Sequence, residues 1–342
     1  MKKLFLLLAC ASMAVGCFAQ SNDAKALFES GKAKLTKFDE AQVKLQMKQQ
    51  VDTNELCANL MGGYADLVKA LPLDTIIEKE KDGTPKIDKK TGKPKFKTKY
   101  SKEIVGLIKS HHNDFAVVGD CYNRSRDYVK AADAWITYAE LPNAEFMGDN
   151  KPVLADTTAG MFYHYAGIMY YQAKDDQKAL NAFSKALQLG YDNKDVKEML
   201  KYEYGRVIGD YLEKKEYAKC EAMIDKAIAQ SPNEALYVMF KGIYIESKED
   251  NIEPAFQYYE KAVQMDPTLA QAQYHVGRYY NNKAVNLMNS DANKNLNDAE
   301  LGKIIKPICA KAKPYLEKAV ELDDTNTDAQ RLLNWVNDRL SK

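Results

Sequence analysis

One spacing pattern constrains this 342-residue chain more than any other feature of its sequence. A glycine is followed three residues later by tyrosine (isoleucine in one copy), about twelve later by alanine, and four further on by a large apolar residue. Because glycine inside a helix costs about 1 kcal/mol relative to alanine, its recurrence at one fixed point indicates a close crossing of two helices. The four copies are Gly119, Tyr122, Ala131, Trp135; Gly167, Tyr170, Ala179, Phe183; Gly242, Ile245, Ala255, Tyr259; and Gly277, Tyr280 and, after a long insertion, Ala312, Leu316.

A fifth copy lacks the glycine but keeps the tyrosine and apolar positions: Ile208, Tyr211, Cys220, Ile224, Ala227 and Pro232. The pattern resembles the tetratricopeptide repeat (TPR), whose signature is Trp-x2-Leu-Gly-x2-Tyr, then Ala-x3-Phe, then Pro over about 34 residues. The resemblance implies an all-α fold, an α-α superhelix (TPR solenoid) that presents a binding surface rather than a reaction centre. In each helix pair we expect the glycine to face the small residue of the second helix, and the aromatic rings to fill the gaps between pairs.

The first 19 residues have the pattern of a secretory signal peptide. Lys2 and Lys3 precede the apolar stretch Leu4–Val15, which is too short for a mature membrane helix, and Ala19 suits cleavage. Lipid attachment at Cys17 is the alternative, because residues 14–17 resemble a bacterial lipobox. Either reading predicts an exported protein of the bacterial periplasm, as a soluble protein or an outer-membrane lipoprotein, with no transmembrane segment after signal cleavage.

The remaining chain divides into three predicted parts. Residues 20–110 form an N-terminal degenerate repeat with Gly62-Gly63 as its glycine, residues 111–325 form the TPR-like repeats, and residues 326–342 form a C-terminal capping helix. Solenoid ends need such a cap because a repeat cannot bury its own apolar face.

A Lys-rich insertion interrupts the first part near residues 74–100. Its turn signals and short strand-like runs predict a small β-hairpin or a mobile loop, after which Ser101 is expected to cap a long helix. It could be a solvated hairpin, or an arm that contacts an acidic partner or an anionic membrane surface. Against Glu80, Asp82 and Asp88 stand ten lysines: Lys79, Lys81, Lys86, Lys89, Lys90, Lys93, Lys95, Lys97, Lys99 and Lys102.

Charge and cysteine use exclude several classes of function. The formal net charge is +1, so the overall charge does not indicate a nucleic-acid-binding protein.

Beyond the predicted signal peptide the cysteines are Cys57, Cys121, Cys220 and Cys309. Because they fall far apart on separate predicted helices, we expect buried free thiols rather than disulfides, although export would permit either.

No catalytic or metal-binding motif is present in the sequence. The four histidines include no i, i+4 pair, and the calcium-like run from Asp291 fails at Leu296 and Gly302. The sequence therefore predicts a protein without enzymatic activity, cofactor or metal. A hydrolase or glycan-binding protein without a recognisable motif is the remaining alternative.

Function is expected on the concave surface that the first helix of each TPR pair forms. Counting from each glycine, the resemblance implies a partner-binding groove composed of Asn123, Arg124, His164, Tyr171, Gln172, Tyr202, Arg206, Phe240, Tyr274, Arg278, Asn281 and Asn282; Asp120 and Tyr165 occupy further groove positions. Arginine and aromatic residues are typical interface hot spots. We therefore predict a periplasmic adaptor or scaffold that binds a protein or peptide of the cell envelope. The alternative is a lipid-anchored accessory subunit of an outer-membrane assembly or transport complex.

Overall fold

The computed structural model describes residues 2–89, 91–149 and 151–341, with side chains from residue 23 onward. The side chains of the predicted signal peptide, including Cys17, and Lys90 of the insertion thus lie outside the described residues. Two compact units divide the chain, residues 1–197 and residues 198–342. The three-part division expected from the sequence stays a prediction.

The first unit contains seven complete α-helices and one small sheet among its described residues. Each helix packs against its neighbour along the chain or, for α2 and α4, across the short α3. The elements are α1 (Lys2–Gln46), α2 (Thr53–Ala70), β1 (Ile76–Ile77), β2 (Phe96–Lys97), α3 (Ser101–Ser110), α4 (Asp114–Arg124), α5 (Tyr128–Glu140), α6 (Asp156–Gln172) and α7 (Asp176–Gln188).

The second unit also consists of successive α-helices. Its first helix, α8, begins four residues before the start of the unit at residue 198. One core cluster surrounds Tyr259 and Val276, and another surrounds Leu316 and Val336. The elements are α8 (Lys194–Glu213), α9 (Tyr217–Gln230), α10 (Ala235–Glu249), α11 (Glu253–Met265), α12 (Ala270–Met288), α13 (Asp298–Leu322) and α14 (Thr327–Ser341). The predicted all-α fold class with repeated helix pairs is confirmed.

The recurring glycines lie where two helices cross, as the spacing predicted. A Cβ added to Gly167 would lie 2.5 Å from the ring of Phe183, and one on Gly242 would lie 2.6 Å from the ring of Tyr259. The partner is therefore the large residue four positions after the recurring alanine, and not the small residue that we expected. These rings pack within their own helix pair, because only a residue without a side chain leaves room for them.

The Lys-rich insertion is a β-hairpin, which confirms the prediction for residues 74–100. β1 and β2 pair antiparallel, with Ile76 opposite Lys97 and Ile77 opposite Phe96. Two further antiparallel bridges join Lys79 to Pro85 and Ile87 to Pro94.

The helix that follows the hairpin differs from the expectation in two respects. It is interrupted at residues 111–113, so that α3 and α4 replace one long helix. Ser101 is the first residue of α3 rather than its side-chain cap, and its hydroxyl donates a hydrogen bond to Asp74 instead. The carboxylate of Asp74 accepts the free N–H groups at the start of α3.

Within the described part of the chain, no helix combines the length and the apolar character needed to cross a membrane.

Candidate binding surfaces

An open cleft in the first unit lies between α4, α5 and α6. It has a volume of about 410 Å³. Its lining residues are Asp120 and Asn123 from α4, Trp135 from α5, and Tyr165, Ile168 and Met169 from α6. The cleft therefore has an apolar and aromatic lining with two polar side chains from α4.

Hydrogen bonding and ring packing fix the aromatic part of this cleft. The indole Nε1 of Trp135 donates to the backbone oxygen of Ala116 at 3.1 Å. The ring of Tyr165 lies 5.7 Å from that of Trp135 and keeps 36% of its surface exposed. Val117 on α4 is exposed to 61%. Apolar surface is thus available to a ligand without any rearrangement of the core.

A repeated tight turn sets the angle between the helices of each pair. Arg126 and Lys174, each the second residue after the end of α4 or α6, have left-handed backbones with φ of 61° and 60°. The next residue caps the following helix: Asp127 accepts from the N–H of Lys130, and Asp175 from that of Lys178. The links from α4 to α5 and from α6 to α7 therefore share one turn conformation and one capping contact.

The groove residues predicted for the first unit do not share one site in the structure. Asn123 lines the cleft. Arg124 and Gln172 are exposed in the last turns of α4 and α6, and Tyr171 is half-buried beside Gln172.

His164 does not lie on an open surface, contrary to the expectation for a groove residue. It is buried, 7% exposed, with its ring 5.9 Å from that of Phe183 and 5.7 Å from that of Tyr191. Burial lowers the pKa of this imidazole, although Asp195 opposes the shift. Its Nδ1 is buried without a hydrogen-bond partner among the described residues, so the neutral ring acts as part of the core.

In the second unit, Tyr202, Arg206 and Phe240 come close together on α8 and α10. The guanidinium carbon of Arg206 lies 5.9 Å from the ring centre of Tyr202, which is exposed to 53%. Phe240 is half-buried and packs beside Gly205, whose added Cβ would lie 3.3 Å from the ring. An aromatic residue next to arginine is a common recognition surface.

Arg278 belongs to a polar network rather than to an open surface. Its Nη2 pairs with Oε2 of Glu246 at 2.5 Å and donates to Nδ1 of His275 at 3.2 Å. The hydroxyl of Tyr259 donates to the same Glu246 oxygen at 2.6 Å, and the ring of Tyr259 stacks on His275 at 4.4 Å. Burial and the cation of Arg278 lower the pKa of His275 to about 3, so this imidazole is neutral.

The other three groove residues predicted on α12, Tyr274, Asn281 and Asn282, lie in three different environments. Tyr274 is half-buried, 5.8 Å from the guanidinium carbon of Arg278. Asn281 is 3% exposed and its Nδ2 has no hydrogen-bond partner in the part of the chain that the structure describes, so it does not line an open groove as predicted. Asn282 lines a separate cleft of about 260 Å³ together with Glu253 and Tyr279. Helical rotation places these neighbours on different sides of α12.

The groove positions predicted from the spacing to each repeat glycine include some of the residues that line the cleft and omit others. Asp120 and Tyr165 were predicted in this way. Ile168 occupies the position in α6 that Asp120 occupies in α4, so the same spacing would have found it. Trp135 lies on the second helix of its pair, and a rule restricted to first helices does not reach it.

No group of three or more histidine, cysteine, aspartate or glutamate side chains among the described residues is arranged to hold a metal ion.

The chain is similar to several solved structures of TPR proteins. YrrB, a TPR protein with an unusual peptide-binding site, is 17% identical, with 68% of this chain and 97% of that chain covered and a TM-score of 0.34. A TPR repeats protein from Bacteroides fragilis NCTC 9343 is 18% identical, with 66% and 98% covered and a TM-score of 0.39. The C-terminal part of a TPR repeat-containing protein from Cytophaga hutchinsonii is 14% identical, with 91% and 98% covered and a TM-score of 0.37. No protein-family model and no curated protein matches the chain.

Proposed function

We propose that this protein is an exported, non-enzymatic scaffold that binds a polypeptide segment of another cell-envelope protein in the cleft between α4 and α6. The observation that carries the proposal is the open cleft, in which the exposed ring of Tyr165 packs on the buried Trp135 beside Asp120 and Asn123. Aromatic anchors with few rotatable bonds bind apolar side chains at a low cost in conformational entropy.

The polar residues of the cleft suit the backbone of an extended peptide. The amide of Asn123 can donate to a peptide carbonyl and accept from a peptide N–H, whereas the carboxylate of Asp120 accepts only. An apolar side chain of the partner would occupy the space between Tyr165, Ile168 and Met169, which line the cleft. The side chains of Arg124 and Gln172 are exposed at the helix ends and can add contacts to flanking residues.

Site-specific photocrosslinking in native cell envelopes tests the proposal. A photoreactive amino acid replaces Asn123 in the cleft, and a matched variant carries it at Gln188, which is exposed on α7 and does not line the cleft. We expect one dominant crosslinked protein from position 123, identified by mass spectrometry, and none from position 188. An absence of crosslinks at position 123, or equal crosslinks at both positions, would contradict the proposal.

Location and anchoring belong to the same proposal. Cleavage after Ala19 gives a periplasmic protein, and acylation of Cys17 gives a lipid-anchored accessory of an outer-membrane assembly. The mass of the N-terminal peptide of the protein purified from cells decides between them.

The β-hairpin favours a second contact, with an anionic membrane surface. Lys79, Lys81, Lys89, Lys93, Lys97 and Lys99 are exposed on it. Phe96 and Ile87 are exposed to 54% and 48% on the same hairpin. Lysines attract anionic headgroups with about 1 kcal/mol each, and exposed apolar side chains can enter the interface.

Co-sedimentation with lipid vesicles tests this second contact. We expect binding to phosphatidylglycerol vesicles that weakens with added salt, and little binding to phosphatidylcholine vesicles. The double variant Lys93→Glu/Lys97→Glu should lose binding, whereas Lys261→Glu/Lys303→Glu, with the same charge change at exposed sites outside the hairpin, should keep it. Equal loss in both variants would mean that overall charge, and not the hairpin, drives the contact. Binding only to acidic proteins would replace the membrane with a protein partner.

A further inference from the structure

Two cysteines that are 64 positions apart in the sequence meet in the first unit. Cys57 on α2 and Cys121 on α4 are neighbours whose side chains interact electrostatically. The Sγ of Cys121 also lies 3.8 Å from the backbone oxygen of Thr53, one helical turn before Cys57. This corrects the expectation that the four cysteines are all far apart, because the packing of α2 on α4 brings these two together.

The two thiols differ in their access to solvent. Cys57 is fully buried, and burial raises the pKa of its thiol. Cys121 is only half-buried. A reagent in solution therefore reaches Cys121 first, and the sulfur of Cys57 lies within reach of the product.

We propose that Cys57 and Cys121 are the two halves of a disulfide, which forms by exchange with a small-molecule disulfide and joins α2 to α4. The thiolate of Cys121 attacks one sulfur of the small disulfide, which forms a mixed disulfide and releases one small thiolate. The sulfur of Cys57 then gives up its proton and attacks the sulfur of Cys121, which forms the internal bond and releases the second small thiolate. The two protein thiols are oxidised, the small disulfide is reduced to two thiols, and the two protons go to the departing thiolates.

Such a bond would close a covalent loop around the β-hairpin and α3. It would also hold α4, the helix that carries Asp120 and Asn123 into the cleft, against the N-terminal helices. A cross-link over a loop of this length restricts the unfolded chain and raises the midpoint of thermal unfolding by roughly 5 °C or more.

Peptide mapping of the full chain tests the proposal. The protein is incubated with oxidised glutathione at pH 8, blocked with N-ethylmaleimide, digested and analysed by mass spectrometry. We expect a peptide pair joined through Cys57 and Cys121 that disappears with dithiothreitol, and a higher thermal midpoint for the oxidised form.

Two variants control the experiment. Cys121→Ser should abolish both the joined peptides and the rise in the midpoint, whereas Cys309→Ala should retain them. Recovery of Cys57 and Cys121 as maleimide adducts after denaturation, or a glutathione adduct that persists on Cys121, would overturn the proposal. Because mapping of the unmodified chain gives this answer by itself, misfolding of a variant does not affect the conclusion.

Discussion

The carboxylate of Asp74 accepts hydrogen bonds from both the backbone N–H and the hydroxyl of Ser101, each at 2.7 Å. The N–H groups of Lys99 and Tyr100 donate to the same carboxylate. Asp74 is 2% exposed; burial alone would raise its pKa, but these hydrogen bonds outweigh it and the pKa lies below its ordinary value. One ionised side chain therefore ties the entry of the hairpin insertion to its exit.

Replacement of Asp74 should loosen the insertion and destabilise the first unit. Asp74→Ala leaves three buried or half-buried N–H groups without their acceptor, which costs about 1–3 kcal/mol. We expect a lower free energy of unfolding in urea and faster tryptic cleavage between residues 79 and 99. The control Asp82→Ala removes an exposed turn carboxylate of the same hairpin and should leave stability nearly unchanged. Unchanged cleavage in Asp74→Ala would show that the hairpin does not depend on this residue.

Two glycine-to-alanine changes should have opposite effects on stability. Gly167→Ala places a methyl group 2.5 Å from Phe183 and should cost about 1–3 kcal/mol through overpacking. Gly209→Ala, in α8 with nothing within 4 Å, should stabilise by about 0.5–1 kcal/mol through helix propensity. Chemical denaturation of both variants gives the comparison. A stabilising Gly167→Ala would mean that the helix crossing has room for a side chain.

His275 should remain neutral across the physiological pH range. Because its folded pKa of about 3 lies below the unfolded value of about 6.5, the unfolded chain binds more protons between these limits. The free energy of unfolding should therefore fall as the pH falls from about 6.5 towards 3, and less steeply in His275→Phe. NMR titration of the imidazole provides the direct measurement, and a midpoint near 6.5 would contradict the buried, Arg278-linked position.

Glu246 should stabilise the second unit through Arg278 and Tyr259. Glu246→Gln removes the charge that pairs with the guanidinium, and we expect a loss of about 1–3 kcal/mol. The exposed Glu249, on the last turn of the same helix, provides the matched change Glu249→Gln, for which about 0.5 kcal/mol or less is expected. Equal stability of the two variants would show that the Glu246 pair contributes nothing measurable, as is common for exposed ion pairs.

Removal of two cleft side chains should weaken partner capture without unfolding the chain. Asn123→Ala/Tyr165→Ala takes away one polar and one aromatic contact, and hot-spot truncations of this kind cost about 2 kcal/mol or more in binding. Capture of the protein that crosslinks at position 123 should fall by about tenfold or more, with the circular dichroism spectrum unchanged. Gln188→Ala is the control on α7. Undiminished capture by the double variant would place the binding surface elsewhere.

Several features of the fold follow from local sequence alone. Glycine, tyrosine and alanine spacing predicted the helix pairs, because each helix carries its own apolar periodicity. Turn residues and strand-forming residues predicted the hairpin between Asp74 and Ser101. The left-handed turns at Arg126 and Lys174 were not predicted, since neither residue is glycine or asparagine, the usual sequence signal for that conformation.

The candidate site could be predicted only in part. Asn123, Asp120 and Tyr165 were reached by counting along the first helices, but His164 and Asn281 are buried although they occupy groove positions in the same count. The position of a residue in the repeat predicts which side of its helix the side chain occupies. Whether that side is buried depends on the neighbouring helix, which the position does not reveal. Tyr191 and Phe183 cover His164, and neither is near it in the sequence.

The sequence by itself determined the helix pairs, the glycines at their crossings and the Lys-rich hairpin, because these depend on interactions between residues close in the chain. Only the tertiary structure decided that Phe183 rather than Ala179 lies on Gly167, that Asp74 closes the hairpin, and that Cys57 faces Cys121. Those contacts depend on the rotation and packing of whole helices, which arise from many side chains at once and leave no local pattern in the sequence.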